Sequence, residues 1–205
     1  MLEKYNVQEL DEQKEKIKYE LLSGITQSSR PHAYLLAGQP GAGKSTMAKI
    51  FVCEHQKNIA FISGDDYRKD HPYFIELQAQ YGDDAVLHTQ QFAGKMTEAL
   101  IDDLSRAQYH LIIEGTLRTT EVPLRTHDLL ASRGYDVSLN VILVRPEKSY
   151  LSTQKRYRLM EEAGLTPRMT PREHHDRVVR SLVDNLHTLY EQDTSRLQSC
   201  GRMSL

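Results

Sequence analysis

The chain has 205 residues, of which 39% are apolar and 26% charged, with 26 Lys and Arg against 28 Asp and Glu and a net charge of −2. That length is enough for one domain with a substantial buried core, and the charge balance gives no overall reason to expect nucleic acid or an anionic membrane as partner. No stretch approaches the roughly 18 apolar residues of a membrane span. The opening "MLEKYNVQELDEQKEK" lacks the apolar segment of a signal peptide, and Cys53 and Cys200 form no CxxC pair, so a cytoplasmic chain with reduced thiols is expected.

Taken in chain order, residues 7–23 carry Val7, Leu10, Ile17, Leu21 and Leu22 among many charges, the spacing of an amphipathic helix with Gly24 as its stop. "TQSSRP" reads as a linker. "AYLLAG" (33–38) is a continuous apolar run, as a strand buried on both faces requires. A glycine-rich turn and a helical segment follow, then a second short run, "NIAFIS" (58–63). Residues 83–108 are expected to form one long helix despite Gly94. "YHLIIEG" (109–115) and "DVSLNVILV" (136–144) are the third and fourth strands, each following a helical stretch. Strands alternating with helices predict βαβ units, a parallel sheet flanked by helices on both faces. Residues 146–164 read as a helix ending at Gly164. The next begins with Thr170 as cap, Pro171 at the first helical position and Glu173 closing a capping box. The expected organisation is a single P-loop kinase domain over 1–205: N-terminal helix and linker (1–30), core (31–190) and a tail (191–205) with a weak strand signal at "SRLQS".

Between the first strand and its helix stands "GQPGAGKST", which satisfies GxxxxGK[ST]. Gly38, Gln39, Pro40, Gly41, Ala42, Gly43, Lys44, Ser45 and Thr46 are thus the candidate ATP-binding residues. The glycines let backbone N–H groups converge on phosphate oxygens, and the helix N-terminus adds partial positive charge. Lys44 reaches the β- and γ-phosphates, and the Ser45 hydroxyl is a ligand for Mg²⁺. A turnover-only ATPase or a nucleotide switch would carry the same motif.

The second strand runs into "SGDDYRKDHPYF", placing Asp65 and Asp66 at the carboxyl edge of the sheet, where open α/β folds bind ligands. A carboxylate there can take the proton of an attacking hydroxyl, or two Asp residues can simply start a turn. The third strand ends "LIIEGTLR", bringing Glu114, Thr116 and Arg118 to the same edge. Glu114 has three readings: a carboxylate assisting Mg²⁺ through water, a contact for an acceptor hydroxyl, or a cap for the next element. Residues 144–180 hold nine Lys or Arg against five Asp or Glu. Arg156, Arg158 and Arg168 in "KRYRLMEEAGLTPRMT" fit a lid over ATP as well as a solvated helix face. His174 and His175 point about 100° apart on a helix and have no partner at ligand spacing, which argues against a metal site.

Together "GQPGAGKST", "GDDYRKDHPYF", "FAGKMTEAL", "LIIEGTLRTTEVP", "SYLSTQKRY" and "RMTPREHHD" resemble the zeta toxins of bacterial toxin–antitoxin systems, over about residues 32–190. The P-loop is widespread; the ordered series DxxxxxHP, KMTEA and EGTxRTT is far more specific. The resemblance implies an ATP- and Mg²⁺-dependent kinase that phosphorylates the 3′-hydroxyl of UDP-N-acetylglucosamine, and a cognate antitoxin as partner. The acid six positions before the His-Pro pair is the family's general base, here Asp65, with Asp66 secondary. Glu98, Glu114, Thr116 and Arg118 fall on the family's acceptor contacts. Arg156 and Arg168 fall on its phosphate clamps, which with Lys44 complete the catalytic set. A kinase for another small acceptor (a nucleoside, a dinucleotide or an antibiotic) would share the ATP half. A nucleotide-dependent binding module would share the P-loop alone. The N-terminal helix is expected to dock on its own domain.

Overall fold

The structure, a computed structural model, describes residues 4–164 and 170–192. Its centre is a four-stranded parallel sheet in the order β2-β3-β1-β4, with β1 at His32–Gly38, β2 at Ala60–Ser63, β3 at Leu111–Gly115 and β4 at Asp136–Ile142. Parallel neighbours need crossover connections. The first is α2 (Lys44–Glu54). The second comprises α3 (Phe74–Tyr81), α4 (Ala85–His88) and α5 (Gln90–Arg106), and the third is α6 (Glu121–Ser132). The helix α1 (Val7–Leu21) precedes the sheet, and α7 (Pro146–Glu162) and α8 (Arg172–Gln192) follow it.

Side-chain alternation on the strands divides the core. Ala33 and Leu35 of β1, with Leu111 and Ile113 of β3, pack against Ile17 of α1, Leu130 of α6 and the apolar stripe Phe92, Met96, Leu100 and Leu104 of α5. Leu36 and Ile112 point the other way, onto Ala48 and Phe51 of α2. Ala37 and Leu117 meet Leu182 and Leu189 of α8. Each fully buried leucine or phenylalanine contributes about 1.5–3 kcal/mol over an exposed one, which makes the α5 stripe a main anchor of the second crossover. Helix α1 begins with a capping box, Asn6 Oδ1 accepting from Glu9 N and Glu9 Oε2 from Asn6 N, both at 2.8 Å. It docks on α5 through Ile17 and through Lys14 and Lys18 against Asp103, so it packs on its own domain. No helix among the described residues is long and apolar enough to cross a membrane.

Three local expectations need correction or fall outside the described residues. The helix expected over 83–108 is broken: a 3₁₀ turn at Gly82–Asp84 leads into α4, and α5 starts afresh at Gln90. The break is at Thr89, fully buried, whose hydroxyl donates to the Ala85 carbonyl at 3.0 Å. The Thr89 backbone, at φ −97° and ψ −5°, departs there from regular helix geometry. Gly94 stays inside α5 as expected. Helix α8 starts at Arg172 rather than Pro171, and the Pro171 carbonyl receives the His175 N–H. The strand signal at "SRLQS" lies outside the described residues.

Candidate active site

The strand registers set the site. Leu36 of β1 and Ser63 of β2 both lie level with Glu114 of β3, and Gly38 lies level with Ile142 of β4. The segments leaving these strand ends therefore emerge side by side. The first is the P-loop. Gly41 (φ +76°) and Gly43 (φ +97°) occupy the left-handed region that glycine enters without steric cost. At Gly41 a Cβ would also lie 2.1 Å from the Ser149 carbonyl oxygen, so no side chain fits there. Gly43 opens α2 without any side-chain cap, leaving that helix N-terminus to face a ligand.

Lys44 is buried and turns back over the loop. Its Nζ donates to the carbonyls of Gly38 (3.0 Å) and Gln39 (3.3 Å) and lies 3.5 Å from Glu114 Oε1. Burial lowers the Lys44 pKa, opposed by the charges of Glu114 and Asp65. Burial raises that of Glu114, with Lys44 pulling against it and Asp65 and Asp66 adding to the rise. An ammonium and a carboxylate held together at the mouth of a phosphate loop form a pair that an incoming phosphate can break. The same pairing gives Glu114 a partner other than the next element's cap.

Asp65 follows β2 at the start of a 3₁₀ turn, Asp66–Asp70. Its carboxylate is 64% exposed, as expected of an open cleft, and accepts from Arg68 Nε at 3.0 Å. Desolvation pushes its pKa up, but the Arg68 guanidinium, with Arg118 and Lys44 behind it, outweighs that and holds the carboxyl below its ordinary value. Arg68 is tied in turn to the Val86 carbonyl at 2.6 Å, bracing the turn against α4. Thr116 and Arg118 leave β3 together, Arg118 Nε donating to Thr116 Oγ1 at 3.2 Å. Between them Leu117 is buried at φ +53°, and Asn185 of α8 donates to its carbonyl at 2.9 Å. Arg156, on α7, is exposed and close enough to Lys44 for its charge to help lower that lysine's pKa.

Several of the residues expected from sequence thus come together around Lys44 and Asp65: Lys44 pairs with Glu114 and feels the charges of Asp65 and Arg156, Arg118 acts on Asp65, and Thr116 is bonded to Arg118. Ser45 and Thr46 are exposed on the first turn of α2. Glu98 is on the exposed face of α5 and pairs with Arg125 of α6. Arg168 lies outside the described residues. Sequence reasoning missed two contributors. Arg68 carried a signal, since a basic residue three positions after an acid in a turn can fold back on it. His174 was weighed only as a metal ligand. It is half-buried, and its pKa is lowered by burial and by Arg118 and Arg177, with Asp65 opposing. Its neighbour His175 is fully buried and engaged with Ser149 and Asp176.

Among the described residues no group of three or more His, Cys, Asp or Glu is arranged to hold a metal ion. The donors at the cleft are oxygens: the Ser45 hydroxyl and the carboxylates of Glu114, Asp65 and Asp66. Such a set suits a hard divalent cation that keeps its waters and shares a nucleotide's phosphates.

A sequence model of the zeta toxin family matches residues 18–200. The toxin PezT of Streptococcus pneumoniae serotype 4 is 49% identical over 174 residues, covering 83% of this chain and 68% of that protein. The toxin zeta of Streptococcus pyogenes is 41% identical over 173 residues, covering 84% of this chain and 60% of that protein. The chain thus spans three-fifths to about two-thirds of the length of these relatives. Among solved structures, that of the PezAT chromosomal toxin–antitoxin system of Streptococcus pneumoniae superposes with a TM-score of 0.83 at 42% identity, covering 93% of this chain and 75% of that one. An AvrRxo1-ORF1:ORF2 complex with ATP shares the fold at 13% identity and a TM-score of 0.57, over 90% of this chain and 59% of that one.

Proposed function

The chain belongs to the zeta toxin family, and from that premise we propose that it is an ATP- and Mg²⁺-dependent kinase transferring the γ-phosphoryl group to the 3′-hydroxyl of UDP-N-acetylglucosamine or a related UDP-sugar. The observation that carries this reading is a carboxylate and a P-loop ammonium facing one cleft: Asp65, held ionised by Arg68 and Arg118, opposite Lys44 and Glu114. A binding module has no use for a base at that position.

In this mechanism the P-loop N–H groups and the α2 N-terminus hold the β-phosphate, and Lys44 leaves Glu114 to bridge the β- and γ-phosphates. Asp65 accepts the proton of the acceptor hydroxyl as its oxygen bonds to the γ-phosphorus. The bond from that phosphorus to the bridging oxygen breaks on the opposite side, and ADP leaves. Arg156, with Arg168, neutralises charge on the migrating group. Ser45, with a carboxylate from the strand ends, would hold Mg²⁺, which when bound supplies further neutralisation of the phosphate oxygens. Glu98, Thr116 and Arg118 orient the acceptor, so catalysis is mainly positioning and charge stabilisation. A cognate antitoxin is the proposed partner, on the strength of the similarity to the PezAT toxin–antitoxin structure.

The test is mass spectrometry of protein incubated with ATP, Mg²⁺ and UDP-N-acetylglucosamine, beside Asp65→Asn. A species heavier by one phosphoryl group, reduced about 10²–10⁴-fold in rate in the variant with ATP binding retained, is expected. An unmodified sugar nucleotide overturns the acceptor, and a panel of nucleosides, dinucleotides and antibiotics then finds the true one. An unimpaired variant overturns Asp65 as base.

A further inference from the structure

A polar chain, buried from Gln39 to His175 and open to solvent at its Asp176–Arg172 end, lies behind the P-loop, and its side chains take no part in the mechanism above. It begins at Gln39, 2% exposed, whose Nε2 donates to the Val144 carbonyl and to Ser149 Oγ at 3.3 Å. Ser149, on the first turn of α7, is fully buried. Its hydroxyl lies 3.0 Å from the Pro146 carbonyl and 2.8 Å from His175 Nε2. His175, on the first turn of α8, is fully buried as well, and its Nδ1 meets Asp176 Oδ1 at 3.0 Å. Arg172 closes the chain, donating from Nε to both Asp176 oxygens at 2.9 and 3.1 Å. Alongside it, the Gly41 backbone packs directly on the Ser149 carbonyl, where a Cβ would come within 2.1 Å.

One residue of the P-loop is thus wired to the starts of two helices that follow it by more than a hundred residues. Apolar packing could hold these elements together, but it is non-directional and permits sliding. A chain of buried hydrogen bonds specifies one register, because a shift strands polar groups without water or partner. What that register fixes is α7. Arg156 stands about two helical turns beyond Ser149 on the same helix, and its charge reaches Lys44.

We infer that Gln39, Ser149 and His175 are positioning residues that lock the α7–α8 pair onto the P-loop, so that Arg156 is presented to the γ-phosphate end of the bound nucleotide. The inference rests on the kinase reading for the role of Arg156, but not on the identity of the acceptor. Its consequence is a split between nucleotides. ADP is held by the loop itself, whereas a third phosphate needs the arginine in place.

The experiment is calorimetric titration of the full chain with ADP and with a non-hydrolysable ATP analogue, both with Mg²⁺ and without acceptor. Ser149→Ala and His175→Ala are expected to weaken the analogue about fivefold or more while ADP stays within about twofold, the scale of one lost hydrogen bond. Arg156→Ala should show the same selectivity, and adding Ser149→Ala to it should cost nothing further. His175→Gln, which keeps a polar group facing Ser149, should recover part of the loss. Equal weakening of both nucleotides, no weakening, or losses that add to that of Arg156→Ala overturn the inference. Should His175→Ala fail to fold, Ser149→Ala, which removes one hydroxyl, decides alone. A wild-type chain that binds neither nucleotide removes both this inference and the kinase reading. An unphosphorylated UDP-sugar beside a selective loss removes only the acceptor.

Discussion

The P-loop cradle and the proposed acceptor rim share one sheet edge and are built in opposite ways. The cradle is a run of consecutive residues, 38–46, in which Gln39 and Lys44 are buried, and in the proposed mechanism the backbone does most of the binding. The rim draws Asp65, Thr116 and Arg118 from two segments, and Asp65 and Arg118 are exposed, while Glu98 stands on the exposed face of α5. In the cradle geometry comes from φ angles and a strand-to-helix turn, so it is local and stiff. In the rim it comes from pairings among long side chains: Arg68 on Asp65, Arg118 on Thr116, Arg125 on Glu98. Substitutions should therefore fall into two groups, those that damage nucleotide binding and those that leave it intact.

The largest effect belongs to the cradle. Lys44→Ala removes the cation from the migrating phosphoryl group and leaves Glu114 without its ion-pair partner. Loss of transfer by about 10³-fold or more is expected, together with weakened ADP binding. Steady-state rates and ADP titration check both. Unchanged ADP affinity would break the division between cradle and rim.

The pH profile sharpens the division from the rim side. Arg68 is the foremost of the charges holding the Asp65 carboxyl below its ordinary value, against desolvation that pushes it up. A base must be ionised to act, so the acid limb of kcat/KM follows that carboxyl. Arg68→Gln removes the opposing charge, the Asp65 pKa rises, and the acid limb must move to higher pH, with ADP affinity unchanged. Rates measured across acid to neutral pH read it directly. A limb that stays in place means another group is the base.

How much of this was legible in the sequence follows from the same contrast. The strands were readable because a central parallel strand is apolar on both faces, and "AYLLAG" and "YHLIIEG" have no alternation to mislead. The cradle was readable because its spacing is itself the geometry. The break at Thr89 was not, since a buried threonine bonding back to Ala85 looks in sequence like any helical residue. Helix α3 was missed as well: its eight residues bury Leu77 but leave Ile75 exposed, too short a pattern to show a period. Asp65 stood as one of two adjacent acids until the family resemblance separated them. The partner that tunes it, Arg68, is assigned by the 3₁₀ turn. The Gln39–Ser149–His175 chain joins the P-loop to positions more than a hundred residues later, and no local spacing encodes it.

The smallest expected effect tests whether the rim is held from behind. Leu117 sits at φ +53°, a region that costs a non-glycine residue about 1 kcal/mol or more, and it remains there because its side chain packs against Leu182 and Leu189 and its carbonyl is held by Asn185. That conformation turns Thr116 and Arg118 toward each other on either side of it. Asn185→Ala deletes the 2.9 Å bond while leaving every residue of the cleft in place. A loss of about 1 kcal/mol is expected, lowering Tm by about 2–4 °C in a chain of this size. The informative readout is kinetic: KM for the acceptor should rise a few-fold while KM for ATP stays put, because Asn185 supports the rim and not the cradle. A rise in both would mean that α8 steadies the whole sheet edge, and the two halves of the site would then share one support.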